Sequence, residues 1–201
     1  MQRRTALLAG VLAAFSLSVA ALAGCASSGG AGGGFTSLMD GKTLNGWSQI
    51  GVSHWRVEDG MIVGDHGKSG FLVSNRTYKD FEIHAEFWVS EDANSGIFIR
   101  GQDPKSMTGK NAYEVNIFDR RPDPTYGTGA IVNTAKAEVV LKAGGHWNTY
   151  DIVARGNMFT ITLNGQRTVN GVRNNDHSQG YIGLQSDGGT VKFRKLEIKE
   201  L

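Results

Sequence analysis

The sequence predicts an all-β domain, a two-sheet antiparallel β-sandwich or jelly roll. Three observations predict it. Short apolar runs alternate with polar residues at a period of two, and turn dipeptides such as Asp59-Gly60 and Asn164-Gly165 join consecutive runs. No comparably long segment shows helical spacing. The composition suits one globular domain, 20% charged and 40% hydrophobic, with 28 Gly and 3 Pro in 201 residues.

The N-terminus stands outside that domain. Arg3 and Arg4 precede an uncharged apolar stretch from Ala6 to Ala21, which ends in "LAGC" at Leu22 to Cys25. This is the pattern of a lipoprotein signal peptide over residues 1–25: Ala23 and Gly24 fit a peptidase slot, and the Cys25 thiol would carry the lipid. The apolar stretch is short for a membrane span. Residues 26–34, "ASSGGAGGG", read as a flexible tether, and the jelly-roll domain is expected over 35–201. The expected location is the bacterial cell envelope, lipid-anchored. Ala26, rather than an acidic residue, follows the lipidated position and points to the outer membrane, facing the periplasm or the exterior.

Cys25 is the only cysteine, so no disulfide and no cysteine nucleophile is expected in the domain. Without Arg3 and Arg4 the 21 basic residues fall to 19, equal to the 19 acidic ones. Near-zero charge argues against a nucleic-acid partner. The sequence leaves the oligomeric state unspecified.

The strands follow in order. "HWRVEDGMIVGD" pairs two runs across Asp59-Gly60. "FEIHAEFWV" sets Phe81, Ile83, Ala85 and Phe87 on one face and Glu82, His84, Glu86 and Trp88 on the other. "GIFIRG" places Phe98 and Arg100 opposite Ile97 and Ile99. In "AYEVNIFD", Tyr113, Val115 and Ile117 point to a core while Glu114 and Asn116 share the opposite face, with Asp119 just beyond. "RGNMFTITLNGQRTV" has turns at Gly156-Asn157 and Asn164-Gly165, and "TVKFRKLEIKEL" shifts phase between Phe193 and Leu196 as a β-bulge requires. If "GIFIRG" neighbours "AYEVNIFD", Arg100 and Glu114 can meet. Such a pair on a half-exposed sheet can also be a plain cross-strand ion pair. Glu82, His84 and Glu86 likewise read as a solvated stripe.

The series "FTSLMDGKTLNGW", "HWRVEDGMIVGD", "NSGIFIRG", "AYEVNIFD", "GHWNTYDIVARG" and "GLQSDGGTVKFRKLEIKEL" resembles the bacterial 3-keto-disaccharide hydrolase family, from Phe35 to Leu201 and in the right order. The resemblance implies a concanavalin A-like jelly roll whose concave sheet carries a carbohydrate site, and an enzyme acting on oxidised glycosides. A ketone at the third sugar carbon acidifies the hydrogen on the neighbouring carbon. A base removes it, the enolate expels the glycosidic oxygen, and water adds afterward. For that chemistry Glu114 is the candidate base, Arg100 the oxyanion partner, and Asp119 or a histidine the acid. Glu86, Trp88 and Asn116 are candidate substrate-binding residues, Trp88 as a stacking surface for a pyranose ring.

Two other readings stay open. "EVNIFD" faintly resembles the active strand of laminarinase-type endoglucanases, but Asn116 and Asp119 stand roughly where acids are needed, which disfavours direct retaining hydrolysis. A noncatalytic carbohydrate-binding jelly roll could use the same face. His54, His66, His84, His146 and His177 lack metal-ligand spacing, and no nucleotide loop opens a helix, so no cofactor is identified. A divalent metal at the site stays open. "NND" at Asn174 to Asp176 is oxygen-rich without a calcium-loop pattern, and Asp176, His177 or Asp187 could sit at the rim.

Overall fold

The computed structural model describes residues 34–65 and 68–201. The expected signal peptide, the lipidated Cys25 and nearly all of the expected tether lie outside them, as does His66. Thirteen strands make up the domain: β1 (Thr36–Ser37), β2 (Trp47–Gly51), β3 (His54–Glu58), β4 (Met61–Asp65), β5 (Gly70–Tyr78), β6 (Phe81–Val89), β7 (Ser95–Gly101), β8 (Tyr113–Ile117), β9 (Trp147–Arg155), β10 (Met158–Leu163), β11 (Gln166–Arg173), β12 (Gly180–Ser186) and β13 (Val191–Glu200). Among the described residues one 3-10 turn covers Pro124–Tyr126.

The strands form two antiparallel sheets. The eight-stranded sheet runs β11-β10-β9-β6-β13-β4-β3, with β1 added beside β13. The five-stranded sheet runs β2-β5-β12-β7-β8. The chain crosses from one sheet to the other at nearly every long connection. β3–β4, β9–β10 and β10–β11 are two-residue hairpins, and the turns of the first and last have the geometry their residues favour. Asp59 and Gly60 have φ of 51° and 78°, and Asn164 and Gly165 have 51° and 76°, the left-handed values of a tight two-residue hairpin. β6 alternates buried and half-buried residues along its whole length. β13 carries the expected bulge, at Arg194 between Phe193 and Lys195.

Between the sheets lies one core, in which Phe81, Phe87, Phe159, Phe193, Tyr150, Ile83, Ile97, Ile99 and Val115 are all fully buried. Phe87 and Tyr150 stack at 5.0 Å, a geometry that adds about 0.5–1.5 kcal/mol beyond area burial. The Tyr150 hydroxyl then crosses the sandwich and donates to the Asn116 carbonyl at 2.6 Å. Burial pushes that hydroxyl far above its ordinary pKa, so it stays a neutral donor. The strand that carries Glu114 and Asn116 is thereby held to the opposite sheet.

The outer edge of β8 is covered too. Asn116 N donates to Ala130 O, Gly129 N to Asn116 O, and Val132 N to Glu114 O. Residues 129–132 thus lie along β8 in place of a further strand.

Candidate active site

The outer face of the five-stranded sheet can be read row by row from its register. One row runs Ile50, Phe71, Gln185, Gly96, Asn116 across β2, β5, β12, β7 and β8. The next runs Ser48, Val73, Gly183, Phe98, Glu114. One end of this face is apolar. Phe71, Val73 and Phe98 form a small second cluster with Met107 and Ala112, which come from the β7–β8 connection folded back over the sheet. The other end is polar and centres on Glu114.

Glu114 is 9% exposed, and among the described residues its carboxyl has no hydrogen-bond partner. Burial pushes its pKa up to about 7, the nearby Asp187 pushes the same way, and Arg121 opposes them. Asp187, expected only as a rim residue, is fixed by Ser69 N and Asn94 Nδ2 at 3.0 and 3.1 Å. Asn116 is fully buried and donates from Nδ2 to Tyr126 O at 2.7 Å. Gln185 completes the row on the far side of Gly96. Gly96 is the floor: a Cβ there would stand 3.4 Å from Glu114 Cγ and 3.5 Å from Gln185 Oε1.

The expected meeting of Arg100 with Glu114 does not occur, although β7 and β8 are neighbours as expected. β7 spends the residues from Phe98 to Gly101 against the shorter step from Gly183 to Tyr181 on β12, a bulge. Arg100 occupies it with φ of 55°. The extra residue inverts the alternation, so the Arg100 side chain turns inward and is 0% exposed. Its guanidinium donates to Lys79 O (2.9 and 2.6 Å), Asp80 Oδ1 (3.1 Å), Gly156 O (2.7 Å) and His177 O (3.2 Å). It also sits 5.2 Å over the Phe159 ring. Burial lowers its pKa and Asp80 counters that shift. Arg100 therefore ties three turns together at one end of the sandwich.

Glu86 and Trp88 are also placed apart from Glu114. β6 belongs to the eight-stranded sheet, and its polar side faces outward on the other side of the molecule. There Glu86 accepts from Arg194 Nε at 2.6 Å, and Lys192 Nζ lies 5.4 Å from the Trp88 ring. Asp119 follows β8 as expected, but its carboxylate accepts from Thr128 Oγ1, Ala143 N and Gly144 N at 2.6–3.1 Å and so closes the loop between them. Asn116 alone of the expected binding residues shares Glu114's face.

Sequence reasoning passed over Gln185 and Arg121. The alternation in "GLQS" sets Gln185 opposite the buried Leu184, a signal that could have found it. Arg121 sits in a Pro-bounded loop, where no periodicity exists. Among the described residues no group of three His, Cys, Asp or Glu side chains could hold a metal ion. The Asn174 side-chain oxygen is engaged by Tyr113 OH at 2.6 Å and Asp176 N at 2.8 Å, so it serves the turn it sits in.

Solved structures share this architecture. A candidate glycosyl hydrolase of Parabacteroides distasonis matches with a TM-score of 0.72 and 22% identity, over 84% of this chain and 94% of that one. The carbohydrate-binding module CBM66 of Bacillus subtilis matches at 0.62 and 17%, over 83% and 100%. A Bacillus licheniformis β-glucanase matches at 0.60 and 14%, over 85% and 100%. The protein is thus an all-β jelly roll of two antiparallel sheets. Residues 34–199 match the 3-keto-alpha-glucoside-1,2-lyase-like domain, and the chain belongs to that family and is a hydrolase-like enzyme. A 3-keto-disaccharide hydrolase of Bacteroides thetaiotaomicron is 26% identical over 232 aligned positions, covering 84% of this chain and 79% of that protein.

Proposed function

We propose that the protein cleaves 3-keto-glycosides by base-initiated elimination followed by hydration, with Glu114 as the base. The observation that carries this reading is the Glu114 carboxyl itself: buried, without a partner, and pushed up to about 7 beside a side-chain-free floor. A carboxylate paired for stability would be held low by its partner, whereas one that titrates near neutrality can take a proton and give it back. In the proposed reaction Glu114 takes the hydrogen from the carbon between the ketone and the anomeric centre. The electron pair moves into the enolate, and the glycosidic C–O bond breaks. Protonated Glu114 then holds the proton that the leaving oxygen needs. Water adds to the unsaturated ketone and restores the sugar.

Asp119 is saturated by backbone and hydroxyl donors, and Arg100 is engaged elsewhere, so neither suits the part their sequence positions suggested. Arg121 is the cation whose charge reaches Glu114, and it has no hydrogen bond or ion pair among the described residues. It is our candidate for the developing enolate oxygen. We also propose that the protein is lipid-anchored through Cys25 at the cell envelope, as its first 25 residues suggest.

Glu114→Gln keeps the shape and removes the base. Turnover of a 3-keto-glycoside should fall by about 100- to 10,000-fold, with the fold intact by circular dichroism. In deuterated water the wild type should place deuterium beside the ketone, seen by NMR, and the variant should not. Full activity in Glu114→Gln would remove the assignment. A protein that binds but turns over neither oxidised nor plain glycosides would instead be a binding module.

A further inference from the structure

The row Gln185, Gly96, Asn116 holds two buried carbonyl oxygens, Gln185 Oε1 and Asn116 Oδ1, and neither has a hydrogen-bond partner. Gln185 is 8% exposed and Asn116 0%. For Asn116 the orientation is fixed, because Nδ2 donates to Tyr126 O and a turned amide would set two carbonyl oxygens face to face. Both residues pair in register with Gly96, one from each side. With no side chain at Gly96, Gln185 Oε1 and the Glu114 stem close in over it, 3.5 and 3.4 Å from where a Cβ would stand.

A buried acceptor without a donor costs the fold stability, so two of them flanking Gly96 near an unpaired carboxyl call for something that supplies hydrogens. Above its pKa Glu114 is also an acceptor only. A keto oxygen is an acceptor as well and cannot satisfy either of these two oxygens. Gln185 and Asn116 stand on either side of β7, two strand spacings or about 9–10 Å apart at the backbone, and hydroxyl groups at separate positions of one sugar ring are donors that can face both. We propose that Gln185 and Asn116 form a hydroxyl-reading edge of the substrate site. Each accepts from one ring hydroxyl, and the ketone is turned away from them. The inference rests on the substrate class proposed above and adds its selectivity: the site should demand intact hydroxyls and reject deoxy sugars.

The test uses the full chain with methyl 3-keto-glucoside and its 4-deoxy and 6-deoxy analogues. The wild type should disfavour at least one analogue by about 100-fold or more in kcat/KM, since the missing hydroxyl leaves a buried acceptor unpaired. Gln185→Met keeps the length and removes the oxygen. It should melt at the same temperature or higher without sugar, lose about 10- to 100-fold in kcat/KM on the parent, and no longer discriminate against one analogue. Equal losses on every substrate with a lowered melting temperature would make Gln185 structural and overturn the proposal. A melting-temperature rise with calcium or manganese chloride in the wild type, absent from Gln185→Met, would make these oxygens cation ligands and overturn it too. Should Gln185→Met fail to fold, the wild-type series alone decides, and equal rates on all three sugars would overturn the proposal. If the wild type turns over none of them, the reaction falls separately. The melting shift then decides the edge: a rise with the parent but not with one analogue supports it, and no rise with any overturns it.

Discussion

At the scale of the residue, the role proposed for Glu114 is tied to stability. Its ordinary pKa of 4.5 moves to about 7 in the folded protein. The folded state therefore holds the proton more tightly than the unfolded chain. Below pH 4.5 both states are protonated and Glu114 costs nothing. Stability falls as pH rises from 4.5 to about 7 and levels off above, for a total of about 3 kcal/mol. Urea unfolding should find wild type and Glu114→Gln alike at pH 4, with the variant gaining through that window and keeping its lead at pH 8. The opposite requirement holds for activity: kcat/KM should climb through pH 7 as the base loses its proton. Glu114 was legible in the sequence because "AYEVNIF" alternates without interruption, so its face follows from its position alone.

At the scale of the element, β7 shows where that logic stops. "GIFIRG" carries no mark of the bulge that turns Arg100 inward, since a left-handed conformation in a non-glycine residue is set by the turns it must reach. The strand and its neighbour were readable, whereas the direction of its sixth side chain was not. Glu86 and Trp88 failed for a different reason. Alternation says that they share a face but not which sheet β6 joins, and that choice is made by pairing with β9 and β13, far along the chain. The bulge has a measurable worth. Arg100→Met takes the donor from three carbonyls and the counter-charge from Asp80, which keeps Gly156 N, and should cost about 3–5 kcal/mol in urea unfolding. Activity per folded molecule should survive at low temperature, because the guanidinium lies away from Glu114. A loss of turnover without a loss of stability would return Arg100 to the chemistry.

At the scale of the whole molecule, the fold class was legible because each hairpin and each alternating strand is a local signal, and together they allow little besides two packed sheets. The proposed anchor is a separate matter, suggested by Arg3, Arg4 and "LAGC". Cys25→Ser should abolish the acyl mass at the mature N-terminus and leave uncleaved or released protein, as read by mass spectrometry of membrane and soluble fractions. Cleavage elsewhere with no acyl group in the wild type would remove the anchor.

The position of β13 also governs the order of assembly. Beginning at Val191, it lies between β6 and β4 at the heart of the larger sheet and holds β1 as well. Every other strand of the two sheets precedes, in chain order, the strand that joins the two halves. Until then β6 and β4 present open edges, which invite pairing with other chains. The domain must close late and as one event, after its last long segment is free, and its many distant pairings slow that closure. A nascent chain in this state remains threadable, which the proposed route to the cell envelope would require. A chain ended at residue 190 should stay protease-sensitive and associate with its copies, while the full chain, released from denaturant, should regain both sheets in the same kinetic phase.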